Sequence, residues 1–277
     1  MTPAPQENGP AVSVIVPARN EEASLGACLE SLVCQEGVDF EVVVVDDGSA
    51  DRTPAIAKSF PGVRVLEAGP LPEGWSGKSN ALVGGVGQAR GAWLLFTDAD
   101  TVHRPGSLAR SLAEAKEHGA ALLSYSPAQE IHGFWEHAVM PLVFSDLSRT
   151  YPPAKVNDPA SPVAAANGQY LLVERGAYEA VGGHAAVAQE LLEDVALARV
   201  FKRAAYRLHF RYGGDAVRTR MYRSLGQMCE GWTKNLALLF PAVRLAAWRG
   251  LEFLWIAGSV ALTAWGAAAG ERRLAAL

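Results

Sequence analysis

Two near-continuous β-branched runs, each stopped by a polar cluster, constrain the fold of this chain more than any other feature. Val12-Ser13-Val14-Ile15-Val16 ends at Pro17-Ala18-Arg19-Asn20-Glu21-Glu22, and Glu41-Val42-Val43-Val44-Val45 ends at Asp46-Asp47-Gly48-Ser49. Strands that are apolar on both faces must be covered on both, as in a largely parallel sheet flanked by helices. The intervening segments supply such helices. Leu25, Cys28, Leu29, Leu32 and Val33 recur at helical spacing, with Asn20 as the expected N-cap and two glutamates in the first turn. Thr53-Pro54 predicts a second helix start, with a cap and a proline at the first position. A third helix is predicted after Gly77-Lys78-Ser79-Asn80, with Ala81, Leu82, Gly85, Val86 and Ala89 on one side. Strand and helix alternate through about residue 125, which predicts an α/β fold built from βαβ units.

The third strand carries the chemistry. Trp93-Leu94-Leu95-Phe96-Thr97 runs directly into Asp98-Ala99-Asp100, so two carboxylates one residue apart stand at a strand's end. Open α/β sheets bind ligands at the carboxyl ends of their strands. Hard divalent cations such as Mg²⁺ take few protein carboxylates and complete their shell with substrate phosphates. A single Asp-x-Asp is most often a solvated turn. Here it is the third polar strand end in one hundred residues, and the recurrence predicts a cation and phosphate site.

In the second half, Asn167-Gly168-Gln169-Tyr170-Leu171-Leu172-Val173 reads as a turn entering a strand, and Gly182-Gly183 ends a short helix. Leu191-Leu192-Glu193-Asp194-Val195-Ala196-Leu197 opens a longer helix with its acidic pair in the first turn. Such a pair either complements the helix dipole or joins the acids at the sheet edge, and the local pattern leaves both open. Leu251 to Gly270 is apolar except for Glu252, with Trp255 and Trp265 toward its ends and Arg249, Arg272 and Arg273 flanking it. Twenty residues of helix span about 30 Å, so this stretch predicts a membrane span, with a buried core helix as the alternative. Tyr222 to Leu245 is amphipathic: Leu225, Met228 and Trp232 follow Met221 among Arg218, Arg220, Arg223, Lys234 and Arg244. It suits a membrane surface and lies close enough in sequence to lend cations to the catalytic half.

Composition excludes several classes. A net charge of −4 over 277 residues gives no basic footprint for nucleic acid. Cys28, Cys34 and Cys229 are odd in number and lack a Cys-x-x-Cys pair, so they read as free thiols. The six histidines, His132 and His137 included, show no ligand spacing. Residues 1–11 are polar and proline-rich, reading as a disordered segment without a signal peptide.

Taken in order, the blocks VSVIVPARNE, VVVVDDGSADRT, GWSGKSNAL, LLFTDADT, NGQYLLVERGAYEAVGG and ELLEDVALA resemble the family 2 glycosyltransferases of the GT-A fold, over roughly residues 12–200. The segment from Tyr222 to Asn235, followed by an apolar helix, resembles the membrane-associated branch with hopanoid-associated and carotenoid glycosyltransferases. Two departures stand out: Glu230-Gly231-Trp232-Thr233-Lys234-Asn235 replaces the Gln-x-x-Arg-Trp motif of processive synthases, and only one C-terminal span is clear. The resemblance implies a mixed, mainly parallel sheet in a GT-A catalytic domain (12–215), an amphipathic interfacial segment (216–250) and a transmembrane helix (251–270).

The resemblance also implies roles. Pro17, Ala18, Arg19 and Glu21 would line the nucleotide base, and Asp47 would accept from the uracil or ribose. Lys78, with Asn80 beside it, would meet the base edge or a phosphate. Asp98 would contact ribose or metal, and Asp100 would ligate Mg²⁺ or Mn²⁺, whose charge offsets that of the leaving nucleoside diphosphate. Arg218, Arg220 or Lys234 would add bonds to the same phosphates. Asp194 would be the general base of an inverting transfer, with Glu193 orienting it or binding the acceptor. The implied donor is a nucleotide-diphospho-sugar, such as a UDP-hexose. The acceptor would be a lipid-like or isoprenoid molecule at the cytoplasmic face of the cell membrane, a preference shared by the aromatic stretch from Phe134 to Tyr151. Two alternatives remain. A sugar nucleotidyltransferase would carry a glycine-rich, arginine-containing loop where this chain has Pro17-Ala18-Arg19-Asn20-Glu21, and a noncatalytic scaffold would lose one of Asp98, Asp100 or Asp194.

Overall fold

The computed structural model of the protein describes residues 9–221, 226, 227, 229, 231, 232 and 243–268. They belong to two compact units, Met1–Met228 and Cys229–Leu277. In the first, β1 (Val12–Ala18), α1 (Leu25–Val33), β2 (Phe40–Asp46), α2 (Thr53–Lys58), β3 (Val63–Glu67), α3 (Gly77–Gln88) and β4 (Trp93–Phe96) alternate; β3 is a strand that the sequence pattern does not predict, so the strand leading into Asp98 is the fourth. There follow β5 (Thr101–His103), α4 (Ser107–Glu117), β6 (Leu122–Ser126), β7 (Ala128–Gln129), α5 (Phe134–Thr150) and α6 (Pro153–Asn157). Last come β8 (Leu171–Glu174), α7 (Arg175–Ala180), a 3₁₀ turn (Gly183–Val187), α8 (Glu193–Arg203), β9 (Leu208–Tyr212) and β10 (Val217–Thr219).

The main sheet has seven strands in the order β3-β2-β1-β4-β8-β6-β9. All neighbours pair parallel except β8, which is antiparallel to both β4 and β6. The sheet is therefore mixed and mainly parallel. A second sheet, β5-β10-β7, has three short strands.

Period-two alternation sends each strand's side chains into two layers. Ile15, Val43, Val45, Leu94 and Phe96 meet Ala81, Leu82 and Val86 of α3 and Leu197 and Phe201 of α8. Val14, Val16, Val42, Val44 and Leu95 meet Leu25, Cys28, Leu29 and Leu32 of α1 and Leu108, Leu112 and Ala115 of α4. Each fully buried aliphatic side chain contributes about 1.5–3 kcal/mol, so both layers are needed to hold the strand ends in place. Helix α3 lies close on the sheet because Gly85 has no side chain. A Cβ there would come within 2.6 Å of Ile15 Cγ2 and 3.0 Å of Val45 Cγ2.

Two local expectations are corrected. Helix α1 begins at Leu25 with Ser24 at its N-cap and no acidic residue in its first turn. Asn20 instead adopts a left-handed φ of 56°, where its Oδ1 accepts from Ala50 N at 2.8 Å and its N–H donates to Ser49 Oγ at 3.0 Å. It thus stitches the ends of β1 and β2 together, a long-range task that overrides the local capping pattern.

The second unit contains α9 (Val243–Ala268), of 26 residues. Among the described residues, no helix is long and apolar enough to cross a membrane, so the predicted span at 251–270 is not reproduced. Ser259 Oγ and Thr263 Oγ1 donate to the carbonyls of Trp255 and Ser259, which satisfies both hydroxyls within the helix. Residues 269 and 270 of the predicted span, most of the predicted amphipathic segment with Lys234, and residues 1–8 lie outside the described residues.

Candidate active site

The carboxyl ends of β1, β2 and β4 lie side by side, because β1 pairs with both of the other strands. Pro17 and Ala18 stand opposite Val45 and Asp46 in register. Just beyond, Asp47 N donates to Ala18 O at 2.9 Å, and Arg19 Nη1 approaches Asp47 Oδ2 at 3.4 Å. The Asp47 carboxylate rests against the first residue of α3. A Cβ on Gly77 would lie 2.2 Å from its Oδ2, so any other residue there would push the carboxylate aside. Glu21 is held by its backbone N–H, which donates to Thr53 Oγ1 at 2.7 Å, and its carboxylate accepts from Ser24 Oγ.

The next residue of α3 brings the donor-side and acceptor-side acids together. Lys78 Nζ lies 2.8 Å from Asp98 Oδ1 and 3.0 Å from Glu193 Oε1. Burial works against the charge of Lys78, but Asp98, Glu193 and Asp194 outweigh it and hold its pKa well above the ordinary value. Ser76, whose Oγ accepts from Ser79 N at 3.0 Å, caps the helix that carries this lysine. Asp194 Oδ2 accepts from Gly168 N at 2.8 Å, and its Oδ1 accepts from Val195 N at 2.7 Å. The carboxylate therefore holds a first-turn amide of α8, whose N-cap is Leu192, and also ties the helix to the turn before β8. Burial, then the neighbouring Glu193, raises its pKa to about 6 against the pull of Lys78 and these two amides. Gly168 carried no role in the sequence reading. A Cβ on it would stand 3.1 Å from Lys78 Nζ and 3.6 Å from Asp194 Oδ2, so its bareness opens the space between them.

Asp100 has the most exacting environment. Its Oδ1 is buried with no hydrogen-bond partner among the described residues. Burial, followed by repulsion from Asp98 and Glu21, pushes its pKa up to about 7. A desolvated carboxylate oxygen with an open lone pair, beside two more carboxylates, fits a hard divalent cation such as Mg²⁺ or Mn²⁺.

Other predicted residues are placed elsewhere or engaged otherwise. Asn80 Nδ2 donates to Gly69 O at 2.8 Å, which fastens the loop before α3. Arg218, on β10, pairs with Glu130 Oε1 at 2.7 Å. The Nε atoms of Arg218 and Arg220 are buried without a partner among the described residues.

One gathering of histidines was not visible in the spacing. Glu114, His118 and His209 bring their ligand atoms within 4.8 Å of one another, and the two imidazoles stack with centroids 4.0 Å apart. Glu114 already accepts from Arg211 Nε at 2.7 Å, from His209 Nε2 at 2.9 Å and from the Tyr125 hydroxyl. Burial disfavours its charge, but these partners win and hold its pKa down at about 2. The cluster clamps α4 to β6 and β9.

Comparison with known proteins places the chain. Residues 13–181 match the family described as Glycosyl transferase family 2. A 4,4'-diaponeurosporenoate glycosyltransferase from Staphylococcus aureus is 30% identical over 263 residues, covering 92% of this chain and 68% of the relative. Glucosyl-3-phosphoglycerate synthase from Mycobacterium tuberculosis, solved with Mn²⁺ and uridine-diphosphate-glucose, superposes with a TM-score of 0.53 at 21% identity, covering 83% of this chain and 77% of that one. TarS 1-349 from S. aureus in complex with UDP-GlcNAc gives 0.52 at 20% identity and covers 78% of this chain. This chain spans only 60% of the length of that TarS chain. The two structural likenesses speak to the fold.

Proposed function

The chain belongs to glycosyl transferase family 2, and from that premise we propose that it is an inverting glycosyltransferase moving a sugar from a nucleotide-diphospho-sugar to a lipid-like acceptor. The observation that carries this reading is the bridge made by Lys78 between Asp98 and Glu193, with Asp194 held beside it. Donor-side and acceptor-side groups thereby share one water-facing edge of the sheet.

Pro17, Ala18, Arg19, Glu21 and Asp47 line the nucleoside end of that edge, and Asp47 accepts from the base or ribose. Lys78 supplies a point charge to the donor, with Asn80 two residues further along α3. Asp98 and Asp100 are the residues that would hold Mg²⁺ or Mn²⁺, which when bound supplies positive charge against the departing diphosphate. Arg218 and Arg220 are further diphosphate contacts in this reading. The acceptor oxygen bonds to the anomeric carbon as the bond from that carbon to the diphosphate oxygen breaks, and the configuration inverts. When the acceptor is a hydroxyl, its proton passes to a carboxylate oxygen of Asp194. A base with a pKa of about 6 is ionised at neutral pH yet basic enough to work there. Glu193, anchored by Lys78, orients the acceptor.

Support for UDP-hexose as the donor comes from the uridine-diphosphate sugars bound in the solved relatives. Support for a lipid-like hydroxyl or carboxyl acceptor comes from the carotenoid-acid relative and from exposed Phe134, Trp135 and Leu142 on α5. Leu251, Phe253, Leu254, Trp255, Ile256, Val260, Leu262 and Trp265 are exposed on every side of α9. Exposed apolar side chains of this size and number favour a nonaqueous surrounding. We therefore place α9 in the cell membrane and the catalytic unit on its cytoplasmic face, where nucleotide sugars are made.

The test incubates membranes containing the protein with a panel of nucleotide sugars and a lipid extract, then weighs the products by mass spectrometry. A hexose adduct on an apolar lipid, absent without donor, is expected. Donor hydrolysis with no lipid adduct from any sugar would overturn the reading.

A further inference from the structure

We propose that His103 is a positioning residue for the metal-holding turn, its ring N–H organising two threonine hydroxyls that fix the backbone at Asp98 and the strand end before it. The proposal rests on the reading of Asp98 and Asp100 as metal ligands.

His103 is buried on β5, behind the acids. Its Nε2 lies 3.1 Å from Thr97 Oγ1 and 3.3 Å from Thr101 Oγ1. A hydroxyl has one proton to give. Thr101 Oγ1 donates its proton to the carbonyl of Asp98 at 2.7 Å, and Thr97 Oγ1 donates to the carbonyl of Gln169 at 2.8 Å. With both protons directed at carbonyls, the two oxygens have only lone pairs to turn toward the imidazole. In this arrangement Nε2 carries the hydrogen and shares it between the two hydroxyl oxygens, which lie 2.9 Å apart. Burial pushes the His103 pKa down to about 3, which keeps the ring neutral. Were Nε2 bare, a hydroxyl proton would turn to the ring at the expense of the 2.7 Å bond to the Asp98 carbonyl or the 2.8 Å bond to the Gln169 carbonyl.

The same network reaches the second aspartate. Gln169 Nε2 donates to Thr219 Oγ1 at 3.3 Å, and Thr219 Oγ1 donates to the carbonyl of Asp100 at 3.3 Å. Thr101 N and the thiol of Cys28 add to the Asp98 carbonyl at 3.3 Å and 3.7 Å. All these side chains are buried. The carbonyls of both aspartates are thus pinned from the protein side, and this sets the direction in which their carboxylates leave the turn. Asp100 Oδ1 has no hydrogen-bond partner among the described residues, so its direction follows from the pinned backbone and from Thr219, which also bonds the carboxyl. Partners behind metal ligands act in this way, orienting groups they never replace.

Electron paramagnetic resonance of free Mn²⁺, titrated into the 277-residue chain with saturating UDP and no acceptor, tests the proposal without turnover. His103→Leu removes the N–H, His103→Gln keeps an N–H donor, and Thr101→Val removes the hydroxyl on Asp98 at constant shape. His103→Leu and Thr101→Val are expected to weaken Mn²⁺ binding by about tenfold or more, with His103→Gln within about threefold of the wild type. If His103→Leu does not fold, Thr101→Val decides. Lowered thermal stability with unchanged Mn²⁺ affinity in the folded variants would mean a structural role only and overturn the proposal. Absence of Mn²⁺ binding in the wild type would instead overturn the metal reading beneath it.

Discussion

Replacing Asp194 by asparagine separates catalysis from binding and from folding. The carboxylate accepts one amide on each oxygen, from Gly168 at 2.8 Å and Val195 at 2.7 Å. Asparagine keeps one acceptor and turns an NH₂ toward the other amide, a loss of about 1.5–3 kcal/mol. Against this, moving the carboxyl from its ordinary 3.8 to about 6 disfavours the ionised form in the fold by roughly 3 kcal/mol at neutral pH. The neutral amide escapes that cost, so the two effects nearly cancel and the variant folds. The linkage has a definite sign. A raised carboxyl pKa contributes stability that is fully present below 3.8 and lost as the pH rises through about 6. Wild-type melting temperature should therefore decline across that window more than that of Asp194→Asn. Loss of a general base costs about 10²–10⁴-fold in turnover, or roughly 3–5 kcal/mol of barrier. Wild-type turnover on a hydroxyl acceptor should rise with pH through about 6 and level off, whereas the residual rate of the variant should not follow that curve. Donor affinity by calorimetry should be nearly unchanged. Near-normal turnover in Asp194→Asn would refute the reasoning, leaving Asp194 as a structural tie in the first turn of α8 and moving the base to Glu193.

Gly77→Ala sets a Cβ 2.2 Å from Asp47 Oδ2, so UDP affinity by calorimetry should fall by about tenfold or more, equivalent to roughly 1.4 kcal/mol. Unchanged affinity would remove Asp47 from the donor site. Glu114→Gln should cost about 2–3 kcal/mol at pH 7 in urea unfolding, because it weakens a carboxylate that binds Arg211, His209 and Tyr125. The Glu114 pKa is depressed to about 2, so this stability is present above 4.5 and lost as the pH falls toward 2, and the cost should shrink in acid. Deleting residues 251–277 removes most of the exposed apolar face of α9 and should move the protein from the carbonate-washed membrane pellet to the supernatant; retention in the pellet would contradict the anchoring role.

What was legible in the sequence is what short-range pattern encodes. β1, β2 and β4 announce themselves as apolar runs, and Asp47, Asp98 and Asp100 follow them directly, so a parallel sheet implies their shared edge. Glu193 and Asp194 at the start of α8 were equally plain, although only the fold brings Lys78 between Glu193 and Asp98. What was hidden depends on distant partners. β8 inserts antiparallel between β4 and β6, an arrangement its own four residues do not encode. Glu114 and Arg211 are 97 positions apart, and Thr97 finds Gln169 72 positions away. Asn20 looked like a cap because capping is a local preference, and it lost to the pairing of two strand ends.

Calorimetric titration of a UDP-hexose into the wild type and Asp100→Asn, each with Mn²⁺ and with chelator, tests the central claim most directly. Asp100 Oδ1 is buried and unpartnered among the described residues, and its pKa is raised to about 7. The account predicts tight donor binding only for the wild type with Mn²⁺, and equally weak binding in the other three combinations. Full-strength binding in chelator, or by Asp100→Asn, would contradict it.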